Sequence, residues 1–415
     1  MRNYEMILGQ NCNAQFGYKE NGNILVLGQV GSYKTRGHIL PNILQQDGIS
    51  MVIADTKGEL RKKTQKLLEE KGYVVKSINF DEPDRSKNRF NPLAYIHSPE
   101  DILAVSAILV SDIHGSFAED PYWDQSAMLL MNAVMAYLME QCTPTERTLA
   151  NVRKLVCALK VSDDAQYVSP LEHIFEDLRK EKPECFAVKQ WDAFATVKQS
   201  SRTVSCIISV LLSKFTQFLT PDIEMLTSRD TLQLDALGKE KTALFVSVSD
   251  VDRSKDKLVS VFYSLLLTRL RNVADQHTDG GLPIHVHCFL DDFATNVVIP
   301  NFDNYISSLR SREVSFSLVL QSERQLQKLY GASANTIVSN CAWYLFFGSR
   351  DLDGCQEIAR RMNVPLDRVL YKPKEEVFIF GNFSRPQVER IYDVSTHADY
   401  SKLENESDSA MLAEL

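Results

Sequence analysis

Residue types that bind phosphate and magnesium occur together in the segment GQVGSYKT, residues 28–35. Gly28, Lys34 and Thr35 occupy the first, seventh and eighth positions of the pattern GxxxxGK[ST], and Tyr33 stands where that pattern has its second glycine. In such a loop the backbone N–H groups and a helix N-terminus surround the phosphates, the lysine contacts the outer phosphates, and the threonine hydroxyl binds Mg²⁺. Considered alone, an ordinary strand-to-helix turn that contains Lys-Thr is the alternative. The segment predicts a nucleotide-binding loop that comprises Gly28, Gly31, Ser32, Tyr33, Lys34 and Thr35.

Polar side chains also follow two apolar runs in the second half of the chain. Asp291 and Asp292 end the run PIHVHCFL, and Gln321 ends the run VSFSLVL. A carboxylate opposite the loop lysine can hold Mg²⁺ through water, and an amide at a strand end can orient water or sense the terminal phosphate. The acids also have an ordinary explanation as a strand cap, and the glutamine as a plain strand terminus. In combination with Lys34, the acids favour a Mg²⁺ site with Thr35 and Asp291 as ligands.

Hydrophobic periodicity indicates which elements position these residues. Apolar runs that turn polar at their carboxyl ends predict buried parallel strands, and ligands bind at that end of such sheets. Three strand-helix units within the first eighty or so residues therefore predict an α/β fold. The predicted elements of this first part, residues 1–97, are strands at 23–28, 51–54 and 72–80 and helices at 34–46, interrupted at Pro41, and at 60–71.

The character of the sequence changes between residues 98 and 205. Strand patterns are missing there, and PYWDQSAMLLMNAVMAYLMEQC repeats its apolar residues at helical spacing, so we predict an inserted all-α domain. Strand patterns return in 206–400, which we predict to be the second part of the nucleotide-binding domain, with CAWYLFFGS (341–349) as its last strand. The acidic, polar segment 401–415 is predicted to be a disordered tail.

Composition excludes several classes of protein. The chain has 415 residues, 44% of them hydrophobic, yet no apolar run is long enough for a membrane-spanning helix. A formal net charge of −8 requires any nucleic-acid contact to come from a local patch or an assembled channel. The eight cysteines occur singly, which indicates reduced thiols in a cytosol rather than zinc ligands. His285 and His287 share one face of a predicted strand, and without a third spaced ligand we expect them to serve sheet packing.

These motifs belong to blocks that together resemble the type IV coupling proteins of bacterial conjugation, especially the form carried by integrative elements of Gram-positive bacteria. The resemblance implies a RecA-like P-loop NTPase domain with an inserted all-α domain, assembled as a homo-hexamer or a mixed ring. It also implies ATP and Mg²⁺ as cofactors, with relaxase-bound single-stranded DNA and components of a type IV secretion channel as partners. The matching blocks are the loop followed by LPN, ADTKGEL, FNPLAYI, DPYWDQSA, SPLEHIFE, LDALGKEKTALFV, LPIHVHCFLDDFATN, SLRSREVSFSLVLQS and LYGASANTIVSNC.

The resemblance implies catalytic roles for four residues, which are Asp292, Gln321, Arg310 and Arg312. Asp292 stands where the family has the glutamate of an Asp-Glu pair. Arg310 and Arg312 lie in the SLRSRE block, and in ring-shaped motors of this fold an arginine reaches the terminal phosphate in the neighbouring subunit. The alternative for these arginines is a pair of solvated charges that favour the C-terminal end of a helix dipole.

Three departures from the family pattern bear on activity. Tyr33 replaces a glycine, Asp292 replaces a glutamate, and the family's N-terminal transmembrane helices have no counterpart in this sequence. The region after Arg361 also looks shortened. A non-glycine residue at positive φ costs about 1–2 kcal/mol, and the shorter carboxylate affects hydrolysis, so the sequence leaves open whether ATP is hydrolysed or only bound.

The leading hypothesis is a conjugative DNA transfer coupling protein that works in the cytoplasm and is held at the cytoplasmic face of the cell membrane by its partners. The competing hypothesis is a catalytically degenerate P-loop adaptor that binds substrate proteins or joins hexamers without hydrolysing ATP. An unrelated P-loop motor such as a helicase fits the block order and the helical insertion less well.

Overall fold

The computed structural model describes residues 3–111, 121–162, 164, 166–198, 200–249, 251–293, 298–381 and 384–403. The chain divides into two compact units. The first comprises Met1–Ile78, Gln233–Asp250 and Leu266–Leu415, and the second comprises Asn79–Leu232 and Val251–Leu265. Most of the predicted disordered tail, from residue 404 onward, lies outside the described residues.

In the residues that the structure describes, a mixed β-sheet of nine strands forms the centre of the first unit, and a separate two-stranded hairpin accompanies it. The strands that carry the predicted site pair in parallel, as β3 does with β8 and β8 with β7. The sheet order is β11-β10-β9-β3-β8-β7-β4-β6-β5, which confirms the predicted α/β class. The strands are β1 (Tyr4–Gly9) and β2 (Cys12–Phe16) in the hairpin, and β3 (Ile24–Gly28), β4 (Ser50–Ala54), β5 (Val74–Asn79), β6 (Thr242–Ser247), β7 (Val286–Leu290), β8 (Val314–Leu320), β9 (Trp343–Gly348), β10 (Glu376–Gly381) and β11 (Gln387–Arg390) in the sheet.

The prediction that the strand at 341–349 is the last one is wrong. Strands β10 and β11 follow β9 and extend the sheet in antiparallel fashion. In β10 only the central residues are fully buried, and β11 has the sequence QVER with no fully buried residue. The run VFIF (377–380) in β10 is as long as the run ILVL (24–27) in β3, so the sequence does carry a pattern for β10, whereas β11 contains no such run.

The helix predicted at 34–46 consists of two parts. A π-helical turn covers Thr35–Ile39, and a short α-helix, α1, covers Leu40–Gln45. Pro41 lies in the first turn of α1, where its missing N–H leaves no helical hydrogen bond unmade. The other helices of the first unit are α2 (Glu59–Glu70), the second half of α10 (Asp256–Gln276), α11 (Phe302–Leu309), α12 (Glu323–Tyr330), α13 (Ser333–Ser339), α14 (Leu352–Met362) and α15 (Leu366–Leu370).

The second unit is helical in its described residues, and it is longer than the predicted insertion, 98–205. Segments on both sides of that range pack with the helices, since the rings of Phe80, Phe90 and Phe262 contact one another. Nowhere in the described part of the chain is a helix long and apolar enough to span a membrane. The helices are α3 (Pro99–Val110), α4 (Pro121–Gln141), α5 (Leu149–Ala158), α6 (Pro170–Glu181), α7 (Phe186–Val197), α8 (Ser201–Phe218), α9 (Pro221–Leu226) and the first half of α10.

Three buried histidines and two serines form a polar network inside the first unit. The hydroxyl of Ser317 lies 3.1 Å from Nε2 of His38 and 2.9 Å from Nε2 of His287. The hydroxyl of Ser315 lies 2.6 Å from Nδ1 of His287 and 2.7 Å from Nε2 of His285. Among the described residues there is no cluster of three or more His, Cys, Asp or Glu side chains that could hold a metal ion. His285 and His287 are buried, and their rings hydrogen-bond the hydroxyls of Ser315 and Ser317 on the neighbouring strand β8.

Both ends of this polar network are also anchored. At one end, the side chain of Asn42 exchanges two hydrogen bonds with the backbone of Ile7 and donates to the carbonyl of His38 at 2.8 Å, and its amide nitrogen lies 3.3 Å from Nδ1 of His38. At the other end, Nδ1 of His285 lies 3.1 Å from Oε2 of Glu313. Buried polar groups stabilise a fold only when their partners are present, so we expect the polar network to be sensitive to protonation.

We predict that acid destabilises the protein through this polar network. Burial lowers the pKa of His38 from 6.5 to about 4 and also lowers the pKa values of His285 and His287. The unfolded chain then binds more protons than the folded chain over this range, so stability falls as the pH decreases from about 6.5 toward 4. Thermal unfolding of the wild type and of His38→Gln should show a weaker pH dependence in the variant. The carboxylates titrate in both proteins, so their contribution to the pH dependence cancels in the comparison. If the unfolding temperature depended equally on pH in the wild type and in the variant, the prediction would be contradicted.

Candidate functional site

The segment between β3 and the π-helical turn adopts a tight loop with two residues in the left-handed region. Gly31 has φ 73° and Tyr33 has φ 66°. The hydroxyl of Ser32 donates to the carbonyl of Gln29 at 2.7 Å, and the N–H of Gln29 donates to the carbonyl of Gly348 in β9 at 2.9 Å. Tyr33 therefore adopts the backbone conformation that suits a glycine, at a cost of about 1–2 kcal/mol.

Gly28, the first residue of the loop pattern, has no space for a side chain. A Cβ atom at this position would lie 2.4 Å from the Ser32 hydroxyl oxygen and 2.8 Å from Cβ of Phe347. The loop can turn back over the end of β3 only because Gly28 is small. The first position of the phosphate-binding pattern is thus required by the packing of this loop.

Lys34 is buried, and its ammonium group bonds the loop itself. Nζ donates to the carbonyl of Gly28 at 2.6 Å and to the carbonyl of Gln29 at 3.0 Å. Burial lowers the pKa of Lys34, while the charges of Asp291 and Asp292 act in the opposite direction. A bound phosphate would give the ammonium a charged acceptor in place of two neutral ones, and charge-assisted hydrogen bonds are the stronger kind.

Thr35 and Asp291 meet across the sheet. The Thr35 hydroxyl donates to Oδ2 of Asp291 at 2.8 Å, although β3 and β7 are not neighbours and β8 lies between them. Burial raises the pKa of Asp291, Asp292 raises it further, and the Thr35 hydrogen bond and Lys34 lower it. A hydroxyl and a carboxylate are oxygen ligands of the kind Mg²⁺ prefers. The structure therefore brings together the two predicted Mg²⁺ ligands.

Asp292 and Gln321 lie at the same edge of the sheet. Asp292 has φ 47°, and its N–H donates to Oδ1 of Asp291 at 3.1 Å, so the chain turns sharply after the metal-ligand candidate. Gln321 follows β8, the strand between β3 and β7, and its N–H donates to the side chain of Gln325 at 3.0 Å. Gln321 also lines a cavity of about 380 Å³. Gln321 therefore follows the strand next to β3, and Asp292 follows the strand after that one in the sheet.

Arg310 and Arg312 are not part of this arrangement. They form a 3₁₀ turn that precedes β8, and therefore lie at its amino end, whereas the loop follows the carboxyl end of β3. Nε and Nη2 of Arg312 donate to the two carboxylate oxygens of Asp275 at 2.7 and 3.3 Å, while Arg310 is exposed. Within one chain these arginines cannot serve the loop, and a finger role would require a second subunit.

Sequence reasoning missed one residue that contacts the loop. The ammonium group of Lys374 lies 4.5 Å from the ring centre of Tyr33. Lys374 belongs to YKPKEE (371–376), between α15 and β10, in the region that looked shortened by comparison with the family. Two lysines around a proline indicate an exposed turn, but nothing in that pattern shows that the turn folds back onto the loop.

We predict that Asp291→Asn stabilises the protein when no ligand is bound. The raised pKa means that the folded environment disfavours the carboxylate, and this cost is present at neutral pH and disappears as the acid protonates. Asparagine removes the charge and can keep both contacts, because its oxygen can accept the N–H of Asp292 while its NH₂ group donates to the Thr35 hydroxyl oxygen. The thermal unfolding temperature at pH 7 should therefore exceed that of the wild type, and the difference should shrink toward acidic pH. A lower unfolding temperature for the variant at pH 7 would contradict this electrostatic interpretation.

The family model described as "Type IV secretory system Conjugative DNA transfer" matches residues 3–362. No curated protein sequence matches the chain significantly. Solved structures with a similar fold include bacterial conjugative coupling proteins and a VirB4 protein, at identities so low that the likeness shows the fold alone. The predicted RecA-like P-loop NTPase fold with a helical domain is thereby confirmed.

Two structures of the coupling protein TrwB illustrate the similarity. The trigonal form of TrwBdeltaN70 in complex with sulphate has a TM-score of 0.67 and 14% identity, covering 89% of this chain and 85% of that one. TrwB in complex with the ATP analogue ADPNP has a TM-score of 0.68 and 15% identity, covering 90% and 86%. VirB4 of Thermoanaerobacter pseudethanolicus is less similar, with a TM-score of 0.51 and 12% identity, covering 98% of both chains.

Proposed function

Because the chain belongs to the type IV secretory system conjugative DNA transfer family, we propose that it is a coupling protein that binds ATP with Mg²⁺. It links relaxase-bound single-stranded DNA to a type IV secretion channel at the cytoplasmic face of the membrane, as a hexamer or a mixed ring. The observation that carries the nucleotide site is the 2.8 Å hydrogen bond between Thr35 and Asp291, beside the buried Lys34. A hydroxyl, a carboxylate and an ammonium group converge there at one loop.

The second half of the loop has a defined role in this proposal. The backbone N–H groups from Gly31 to Thr35 surround the phosphates. When the nucleotide binds, the ammonium group of Lys34 exchanges its hydrogen bonds to the loop carbonyls for hydrogen bonds to the outer phosphates. Thr35 and Asp291 hold Mg²⁺. The named complexes of TrwB with ADPNP and with ADP and Mg²⁺ support this choice of ligand. The left-handed conformation of Tyr33 supports it too, because the loop keeps its shape without the usual glycine.

The proposal also includes slow hydrolysis of the bound ATP. Asp292 and Gln321 lie at adjacent carboxyl ends of the sheet, where one can activate and the other can orient the attacking water. An aspartate reaches less far than a glutamate, and a misplacement near 1 Å can cost about a hundredfold in rate, so we propose slow hydrolysis. The competing adaptor function without hydrolysis rests on the same two substitutions, and a turnover assay separates the two.

We predict that Lys34→Ala weakens binding of a labelled, non-hydrolysable ATP analogue measured with Mg²⁺. Charge-assisted hydrogen bonds contribute about 1.5–3 kcal/mol, so the Kd should rise by about tenfold to a hundredfold or beyond measurement. Lys239→Ala is the matched control, because Lys239 is an exposed lysine just before β6, at the amino ends of the strands. Equal affinity in wild type and Lys34→Ala would refute the assignment of the nucleotide site.

We also predict that Arg310→Ala lowers steady-state ATP hydrolysis while each subunit still binds nucleotide. An arginine that reaches a neighbour's terminal phosphate contributes about 10³–10⁵ in rate, and mutant subunits should inhibit wild-type rings in mixing experiments. Arg312→Ala should cost less, because Asp275 already holds that guanidinium group. If hydrolysis is unchanged in both variants, or the protein stays monomeric with nucleotide and DNA present, the finger role fails.

A further inference from the structure

Lys374 approaches the loop from a separate part of the chain. Its ammonium group lies 4.5 Å from the centre of the Tyr33 ring, which is within the range of a cation–π contact. Tyr33 immediately precedes Lys34, so this contact places a second ammonium group beside the loop that surrounds the phosphates. Both lysines belong to the first unit, as does the whole loop.

The turn that carries Lys374 is fixed to the same strand ends as the loop. Nζ of Lys372 donates to the carbonyl of Glu376 at 2.6 Å and to that of Pro373 at 3.0 Å. The stem of Lys372 covers Gly348, since a Cβ on that glycine would lie 3.0 Å from Cε of the lysine. The carbonyl of Gly348 in turn accepts the N–H of Gln29 in the loop. The base of the turn is therefore anchored, while Lys374 itself is exposed.

We propose that Lys374 is a second lysine of the nucleotide site that contacts the polyphosphate chain, and that the Tyr33 ring positions it. The inference rests on the proposed nucleotide binding and adds a residue to that site. A Mg²⁺ complex of a nucleoside triphosphate keeps a net negative charge after Lys34 supplies one positive charge, and Asp291 and Asp292 add negative charge nearby. A second cation at the mouth of the loop offsets that excess.

This role also gives the tyrosine a physical purpose. A glycine at position 33 would relieve the backbone strain but would leave no ring to hold the ammonium group near the loop. Lysine side chains are flexible, and ordering one in advance reduces the entropy lost when the ligand binds. Lys374 is thus a binding residue, and Tyr33 is a positioning residue that acts through it.

The test measures the Kd of two probes with Mg²⁺, a non-hydrolysable ATP analogue and inorganic tripolyphosphate. Lys374→Ala should weaken both by about tenfold, Lys374→Arg should restore most of the affinity, and Lys239→Ala should leave it unchanged. Loss of affinity for the ATP analogue alone would show that Lys374 contacts the base or sugar, which overturns the proposal.

A double-mutant cycle tests the role of the tyrosine. Tyr33→Leu keeps a non-glycine residue at positive φ but removes the aromatic face, so Lys374→Ala should cost less than about twofold in that background. Tyr33→Phe keeps the ring and should preserve the full effect of Lys374→Ala. Equal effects of Lys374→Ala in the wild type and in Tyr33→Leu would show that the ring does not position the lysine.

The outcomes also separate this inference from the proposed function. If the wild type binds both probes and Lys34→Ala weakens them while Lys374→Ala does not, the nucleotide site stands and the second lysine is refuted. If the folded wild type binds neither probe, the nucleotide site and the second lysine are both refuted.

Discussion

The hydrogen bond between Thr35 and Asp291 is the interaction on which the arrangement of this site depends. It joins residues that follow two strands, β3 and β7, which are separated by β8. The hydroxyl and the carboxylate can meet only if all three strands end at the same level, which parallel pairing in the observed register provides. The positions of Lys34 in the loop and of Gln321 after β8 then follow from the same alignment.

The backbone is strained on both sides of the site, in the loop after β3 and in the turn after β7. Tyr33 and Asp292 both have positive φ, and they are the two residues at which the resemblance indicates a departure from the family pattern. A left-handed non-glycine residue persists only where surrounding contacts hold it. For Tyr33 those contacts include the loop hydrogen bonds and Lys374, and for Asp292 they include the bond from its N–H to Asp291. The two substitutions are therefore compatible with the fold, at an energetic cost.

Much of this could be predicted from the sequence, for identifiable reasons. The loop, Asp291 and Gln321 each follow a continuous apolar run, and such runs are buried parallel strands whose ends form the site. The contact between Lys374 and Tyr33 could not be predicted, because nothing in the segment YKPKEE (371–376) shows that the turn before β10 folds back onto the loop. The division of the first helix at Leu40 was only partly indicated by Pro41, which marks an interruption without showing that a π-helical turn precedes it.

The polar network determines which ring nitrogen of each buried histidine carries the proton. The Glu313 carboxylate can only accept, so Nδ1 of His285 carries the proton and donates to it, and Nε2 of the same neutral ring accepts from the Ser315 hydroxyl. That bond uses the one hydroxyl hydrogen of Ser315, so Nδ1 of His287 donates to Ser315 and its Nε2 accepts from Ser317. Nε2 of His38 then donates to Ser317. The carboxylate at one end thus fixes the tautomers of all three imidazoles. The core of the first unit therefore contains a chain of hydrogen bonds that all donate in one direction, from His38, three residues after Thr35, to Glu313, immediately before β8.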